Sequence, residues 1–314
     1  MKWDIVAEVT LFVTSLFAMG LTAATLIKTV KGSRYKLAIQ VMSLLLAANF
    51  AYFLTSIATI FQLKALFRDM TSSILFWANS TAILQSIGDL FFCEGHWILA
   101  HLFFRVAKNT PRMLKGGKPF DYNLSFWIGV VANAVIPLCE AIFLPVENDF
   151  FYKNDNHVPK VIYACVVVSI AATGILQVIS GGILNWSIWR IRSIIKNQHF
   201  EFEEMDIPML LIHASAFLFF MISAAIYYSF SVINWLDPDT KTFKESNAAW
   251  TFQLICSFIS QLLLCVIFWR LSPEEEEEVE EETDTKSRKS KSAMSPANSF
   301  RSIRVQSFDE DAEL

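Results

Sequence analysis

Glycine is scarce in this chain, at 10 in 314 residues, while 54% of the chain is hydrophobic and 28 residues are Phe. With a mean hydropathy of +0.41, it lies outside the range of ordinary soluble domains and indicates a membrane protein. No cysteine falls in a connecting loop. Cys93, Cys139, Cys165, Cys256 and Cys265 all sit within apolar stretches, which excludes a loop disulfide and leaves them as small apolar packing residues. Segments of about ten residues with alternating polarity are also missing, which excludes a membrane barrel. The first apolar run lacks the features of a signal peptide. It is too long for that purpose, and its flanks are reversed: Asp4 and Glu8 open it, and Lys28, Lys31, Arg34 and Lys36 close it.

Seven stretches are long enough to cross about 30 Å of hydrocarbon, which takes about 20 helical residues. They run over residues 5–30, 37–63, 72–106, 124–146, 160–189, 207–235 and 247–271. The expected fold class is all-α: a seven-transmembrane-helix bundle over 1–272 with a disordered C-terminal tail over 273–314. Short connections make consecutive helices antiparallel neighbours. With the N-terminus outside, the inner connections hold twelve Lys and Arg and the outer ones six. The positive-inside rule therefore places the N-terminus outside and the C-terminus in the cytosol. Pro137 is expected to kink the fourth helix. Asp206-Ile-Pro208 reads as the start of the sixth. Gly174, Gly181 and Gly182 mark the fifth for close helix approach. Trp3, Tyr35, Trp127, Tyr163, Trp186, Trp189, Trp235, Trp250 and Trp269 lie near span ends as an interfacial belt.

The third stretch carries the most unusual chemistry. At its centre it reads Gly88-Asp-Leu-Phe-Phe-Cys-Glu-Gly-His-Trp-Ile-Leu-Ala-His101. A charged group at the bilayer centre costs at least about 2.5–3.5 kcal/mol on insertion scales, so it must face protein or water. At 100° per residue, Gln85, Ser86, Asp89, Cys93 and His96 form one stripe, with Glu94 and His101 on a second face. Asn49 lies mid-span in the second helix and Glu140 in the fourth, with Gln177, His213, Gln253 and Gln261 as further polar groups. The candidate intramembrane polar site is therefore Asp89, Glu94, His96, His101, Asn49 and Glu140. These groups either fix helix packing by hydrogen bonds or line a water-accessible cavity. His96 and His101 are five apart and share no face, so no metal site is expected, nor any cofactor or catalytic residue.

Several seven-helix chemistries lack their residues here. No span has a lysine in its central portion for a retinal Schiff base. The seventh span has no histidine of the kind used by zinc-dependent heptahelical hydrolases. Pro-Gln, the motif of one class of sugar transporters, does not occur. In topology, and in the spacing of Trp127 and Pro137, the chain resembles rhodopsin-like receptors. The likeness ends there: the third span closes Phe103-Phe-Arg-Val-Ala, and the seventh has no Asn-Pro-x-x-Tyr. Topology alone does not carry function.

Beyond Ser272-Pro273 the composition changes. Residues 273–314 hold 13 Asp+Glu and 6 Lys+Arg, against 17 and 20 in the remainder. Apolar residues there are too sparse to bury a core. An acidic run, Glu274–Glu282, precedes a basic one, Lys286–Lys291. Ser287, Ser290 and Ser292 lie beside basic residues. Ser307 fits a basophilic site through Arg304 and an acidophilic one through Asp309 and Glu310.

The combined reading is a non-enzymatic, receptor-like signalling protein. Its expected partners are the lipid bilayer, a ligand of unassigned class, and a cytosolic signalling protein or kinase at the inner loops and tail. Nucleic acid is not expected. The alternatives are a transporter or channel that uses the polar stripe of the third helix, and a non-catalytic membrane scaffold. No convincing internal repeat of the sort common in carriers is visible.

The tail yields one testable consequence. Its basic segment should adhere to the anionic inner leaflet, at about 1 kcal/mol per charge near the surface. Phosphates on Ser287, Ser290 and Ser292 add about −1.5 to −2 charges each and cancel that attraction. A 273–314 peptide should therefore bind anionic liposomes, bind them less as salt rises, and lose binding when triply phosphorylated. Equal binding of the phosphorylated and unmodified peptides would refute the switch.

Overall fold

A computed structural model describes residues 2–31, 36–66, 68, 70–153, 158–198, 207–236 and 243–271. Seven helices account for nearly all of them: α1 (Lys2–Lys31), α2 (Lys36–Leu66), α3 (Thr71–Met113), α4 (Asn123–Lys153), α5 (Lys160–Gln198), α6 (Ile207–Leu236) and α7 (Phe243–Leu271). Among the described residues, six of these helices contain a segment long and apolar enough to cross a membrane. The chain is a helical, multi-pass integral membrane protein. The expectations for Tyr35, Asp206 and the tail, including Ser287, Ser290, Ser292 and Ser307, fall outside the described residues.

Three helices outrun the lipid-crossing stretches read from hydropathy. α3 continues through Pro111 to Met113, α4 runs through Pro137 and Pro145 to Lys153, and α5 extends to Gln198. Hydropathy marks where side chains leave lipid; it does not mark where backbone hydrogen bonding stops. At about 1.5 Å per residue, the 43 residues of α3 span about 65 Å, well beyond the hydrocarbon.

Each helix packs against the next, α7 closes against α1, and α3 reaches across to α5. The helices thus form a closed ring braced by α3, which touches α2, α4 and α5. In lipid no water is present to satisfy polar groups, so small hydroxyls bond to their own helices. Thr10, Thr22, Thr55 and Ser187 each donate to the carbonyl four residues earlier, at 2.5–2.9 Å. The outer surface is apolar: Leu124, Val161, Phe17 and Val168 are each 66% or more exposed, as expected of side chains that face acyl tails. Trp127, Trp186, Trp189 and Trp269 are also exposed, consistent with interfacial anchors. The five cysteines are free.

The two halves of the bundle differ along its axis. Val41, Leu45, Leu99, Leu184, Leu264 and Ile267 belong to one buried apolar cluster. These residues come from the N-terminal part of α2 and the C-terminal parts of α3, α5 and α7. They therefore fill the half away from the N-terminus of α1. At that same end, Lys28 lies over the Trp269 ring at 4.6 Å and Lys108 over Trp186 at 4.9 Å. Arg192 lies 5.3 Å from Trp189 there.

Close approach of α5 to α6 depends on one glycine of an adjacent pair. A methyl group at Gly181 would overlap Met221 and Phe217, whereas one at Gly182 would meet nothing within 4 Å. Gly181→Val should destabilise the chain by about 1–3 kcal/mol through overpacking and lower its Tm by several degrees. Gly182→Val carries the same helix-propensity change and should leave Tm nearly unchanged. Equal shifts in thermal unfolding of the purified protein would show that packing at Gly181 is not the cause.

Candidate functional site

The half nearer the N-terminus of α1 contains a cavity of about 70 Å³, bounded by α1, α2, α3, α5 and α7. It runs from Asn49 and Gln261 at mid-bundle to Leu11 and Trp250, nearer the N-terminal ends of α1 and α7. Its lining is rich in carboxamides (Asn49, Gln85, Gln177, Gln253 and Gln261) and includes one formally charged side chain, Asp89.

A local device on α3 sets the position of Asp89. Gly88 has no side chain, so the Tyr52 ring of α2 lies directly on the α3 backbone; a methyl there would come within 2.6 Å of the ring. The ring's hydroxyl thereby reaches the next residue and donates to Asp89 Oδ1 at 2.7 Å. Hydrogen bonds to a carboxylate are stronger than neutral ones and fix its orientation. Tyr52 was not singled out from the sequence, although a tyrosine at mid-span, away from the interfacial belt, was a usable signal. Trp250, assigned to that belt, lines the cavity instead.

Below the cavity, three helices are tied by amides. Asn49 Nδ2 donates to Gln261 Oε1 at 2.7 Å and to Thr22 Oγ1 at 3.4 Å. Gln261 Nε2 donates to Ser257 Oγ at 3.3 Å. On the other side of α3, the Thr173 hydroxyl of α5 donates to the Glu140 carboxylate of α4. Gln177 Nε2 reaches Cys93 Sγ at 3.7 Å. Glu140 and Asp89 lie close enough to interact electrostatically.

The six polar candidates do not form one site. Asn49 and Asp89 share the cavity. Glu140 lies behind it, buried with Thr173. His96 is separated from Asp89 by Phe92, which lines the cavity and packs against the imidazole with ring centroids 4.2 Å apart. His96 Nδ1 donates to the Phe92 carbonyl at 2.9 Å, and Phe217 stacks on its other side at 4.4 Å. His213, one turn earlier on α6, has its ring 6.4 Å from that of Phe217 and donates from Nδ1 to the Ser260 carbonyl at 3.0 Å. Glu94 and His101 are buried on their own face of α3. There His101 lies beside the Phe126 ring at 5.1 Å. Among the described residues, no three His, Cys, Asp or Glu side chains converge as a metal site.

Two acceptors in the cavity wall are unfilled. Oε1 of Gln177 and Oε1 of Gln253 have no hydrogen-bond partner among the described residues. They belong to residues only 4% and 8% exposed. No protein-family model, curated protein or solved structure matches the chain.

The Asn49–Gln261 bond should be measurable as a coupling. In a double-mutant cycle of Asn49→Ala and Gln261→Ala, the interaction energy should be about 0.6–2 kcal/mol, the range for interhelical hydrogen bonds in membranes. Strict additivity in the unfolding free energies would show that this bond does not hold α2 to α7.

Proposed function

We propose that the chain is a receptor-like, non-enzymatic protein of seven spans that binds a small ligand in the Asp89 cavity from the outer side. α6 would supply the seventh span, since its 30 residues contain no Asp, Glu, Lys or Arg. The N-terminus lies outside and the C-terminus in the cytosol, following the twelve-to-six distribution of Lys and Arg. The reading is carried by the contrast along the bundle axis. The polar cavity occupies the half toward the α1 N-terminus, and Val41, Leu45, Leu99, Leu184, Leu264 and Ile267 of the apolar cluster lie in the other half, with His96 and His213. In this orientation the cavity faces outward and is closed toward the cytosol, as a receptor requires. The inner loops and the tail, with its candidate phosphoserines, would then meet a cytosolic partner or kinase.

A transporter is the second reading. It draws on the polar groups that continue past Phe92, His96 and His213 among them, into the apolar half. The two readings differ in access. A receptor site opens to one face; a carrier site opens to each face in turn.

Ser257 lines the cavity, so Ser257→Cys reports access. A charged, membrane-impermeant methanethiosulfonate should label Ser257→Cys in right-side-out vesicles, above the wild-type background. It should fail to do so in inside-out vesicles. Labelling from both faces would favour the transporter. Labelling from the C-terminal face alone would overturn both the orientation and the receptor reading.

A further inference from the structure

We propose that the ligand of this cavity is a small organic ammonium ion, held by Asp89 and by the side-chain oxygens of Gln177 and Gln253. This rests on the reading of the cavity as a ligand site and assigns the chemistry it selects. The argument is a balance of donors and acceptors. Asp89 is the one formally charged side chain in the lining. Tyr52 supplies a donor to Oδ1, but an ionised carboxylate has about four lone-pair positions, so most of its accepting capacity remains. Gln177 has committed its amide group to Cys93, which leaves Oε1 as its open function. Gln253 Oε1 is likewise open. Both buried unfilled atoms of the wall are therefore acceptors, and the cavity they line also holds a negative charge.

A buried acceptor without a donor is costly, so the occupant must bring donors. It must also be cationic, because an anion would be repelled by Asp89 and a neutral molecule would leave its charge uncompensated. A primary ammonium has three N–H donors and no acceptor, the complement of this wall. The rest of the lining determines the remainder of the molecule. Leu11, Phe92, Trp250, Leu254 and Phe258 present apolar and aromatic surface. That surface suits an alkyl or aryl stem and adds cation–π attraction. A hydrated inorganic ion would gain nothing from it. A cavity of about 70 Å³ corresponds to about five water positions, which sets the scale of a minimal probe.

The test uses five-heavy-atom probes on the purified full-length chain in lipid nanodiscs, at constant ionic strength. The probes are n-butylammonium, tetramethylammonium, 1-butanol and propionate, with sodium chloride as the inorganic arm. A millimolar ligand at about 100 times its Kd should raise Tm by roughly 5 °C. n-Butylammonium should produce such a shift. Tetramethylammonium, which has the charge but no N–H, should produce a smaller one. Butanol, propionate and sodium should produce none. Asp89→Asn, which keeps the shape of the side chain and removes its charge, should weaken n-butylammonium binding by at least about tenfold.

An equal response to butanol, propionate or sodium would overturn the proposal, as would no response to n-butylammonium. An undiminished response in Asp89→Asn would do the same. The wild-type comparison decides by itself if Asp89→Asn does not fold. The outcomes also separate this inference from the receptor reading. Ammonium binding with Ser257→Cys labelled from both faces sinks the receptor and keeps the ligand class. One-sided labelling with an equal response to butanol does the reverse.

Discussion

A carboxylate in hydrocarbon must find protein or water, and α3 carries two, Asp89 and Glu94, near its middle. Most of the architecture can be traced to that constraint. α3 cannot sit at the edge of a ring of helices, because one polar face or the other would then meet lipid. It lies instead against α2, α4 and α5. This covers the Asp89 face and the Glu94–His101 face together. Past its apolar stretch the helix runs on through Pro111 with Lys108, Arg112 and Met113 exposed, where water can satisfy the backbone.

Within this frame, glycines and aromatic rings determine where polar groups meet. Gly88 admits Tyr52, and Tyr52 holds Asp89. Gly129 admits Trp97: a methyl group there would overlap the indole, whose Nε1 donates to the Phe126 carbonyl at 3.0 Å. Phe92 divides the polar interior of α3 into a cavity above and an imidazole layer below. Phe217 lies against His96 and near His213. The buried histidines are thus set among rings. The carboxylate at the cavity keeps company with amides and hydroxyls.

The same division accounts for the two ends of the molecule. The apolar half, tightly filled by Leu, Val and Ile, resists opening because each void in such packing costs dispersion contacts and burial. The half toward the α1 N-terminus retains the cavity. Among the described residues, unpartnered buried atoms occur in both halves, Gln177 Oε1 and Gln253 Oε1 in one and His96 Nε2 and His213 Nε2 in the other. Basic residues and exposed tryptophans gather at the apolar end, where Lys28, Lys108 and Arg192 lie over indole rings.

Hydropathy is local, so the sequence by itself determined the helices and their approximate places. Spans of about 20 apolar residues follow from the thickness of hydrocarbon, and the burial of Asn49 and Glu140 and the half-burial of Asp89 from the cost of charge and unpaired amides in lipid. Helical periodicity likewise placed Gln85, Asp89 and His96 on one stripe. The ends of α3, α4 and α5 were less legible, since backbone hydrogen bonding continues where hydropathy falls. Which residues of the stripe share a space was decided only by the tertiary structure. Asp89 opens to the cavity and His96 does not, because Phe92 comes between them from the same helix. Tyr52 and Gln261, 37 and 172 residues from Asp89 in the chain, become its neighbours around the cavity only when α2 and α7 close on α3. Periodicity gives the direction of a side chain from its own axis. What it meets there depends on how closely the neighbouring helix approaches, and that is set by pairs such as Gly88 with Tyr52, whose partners are far apart in sequence.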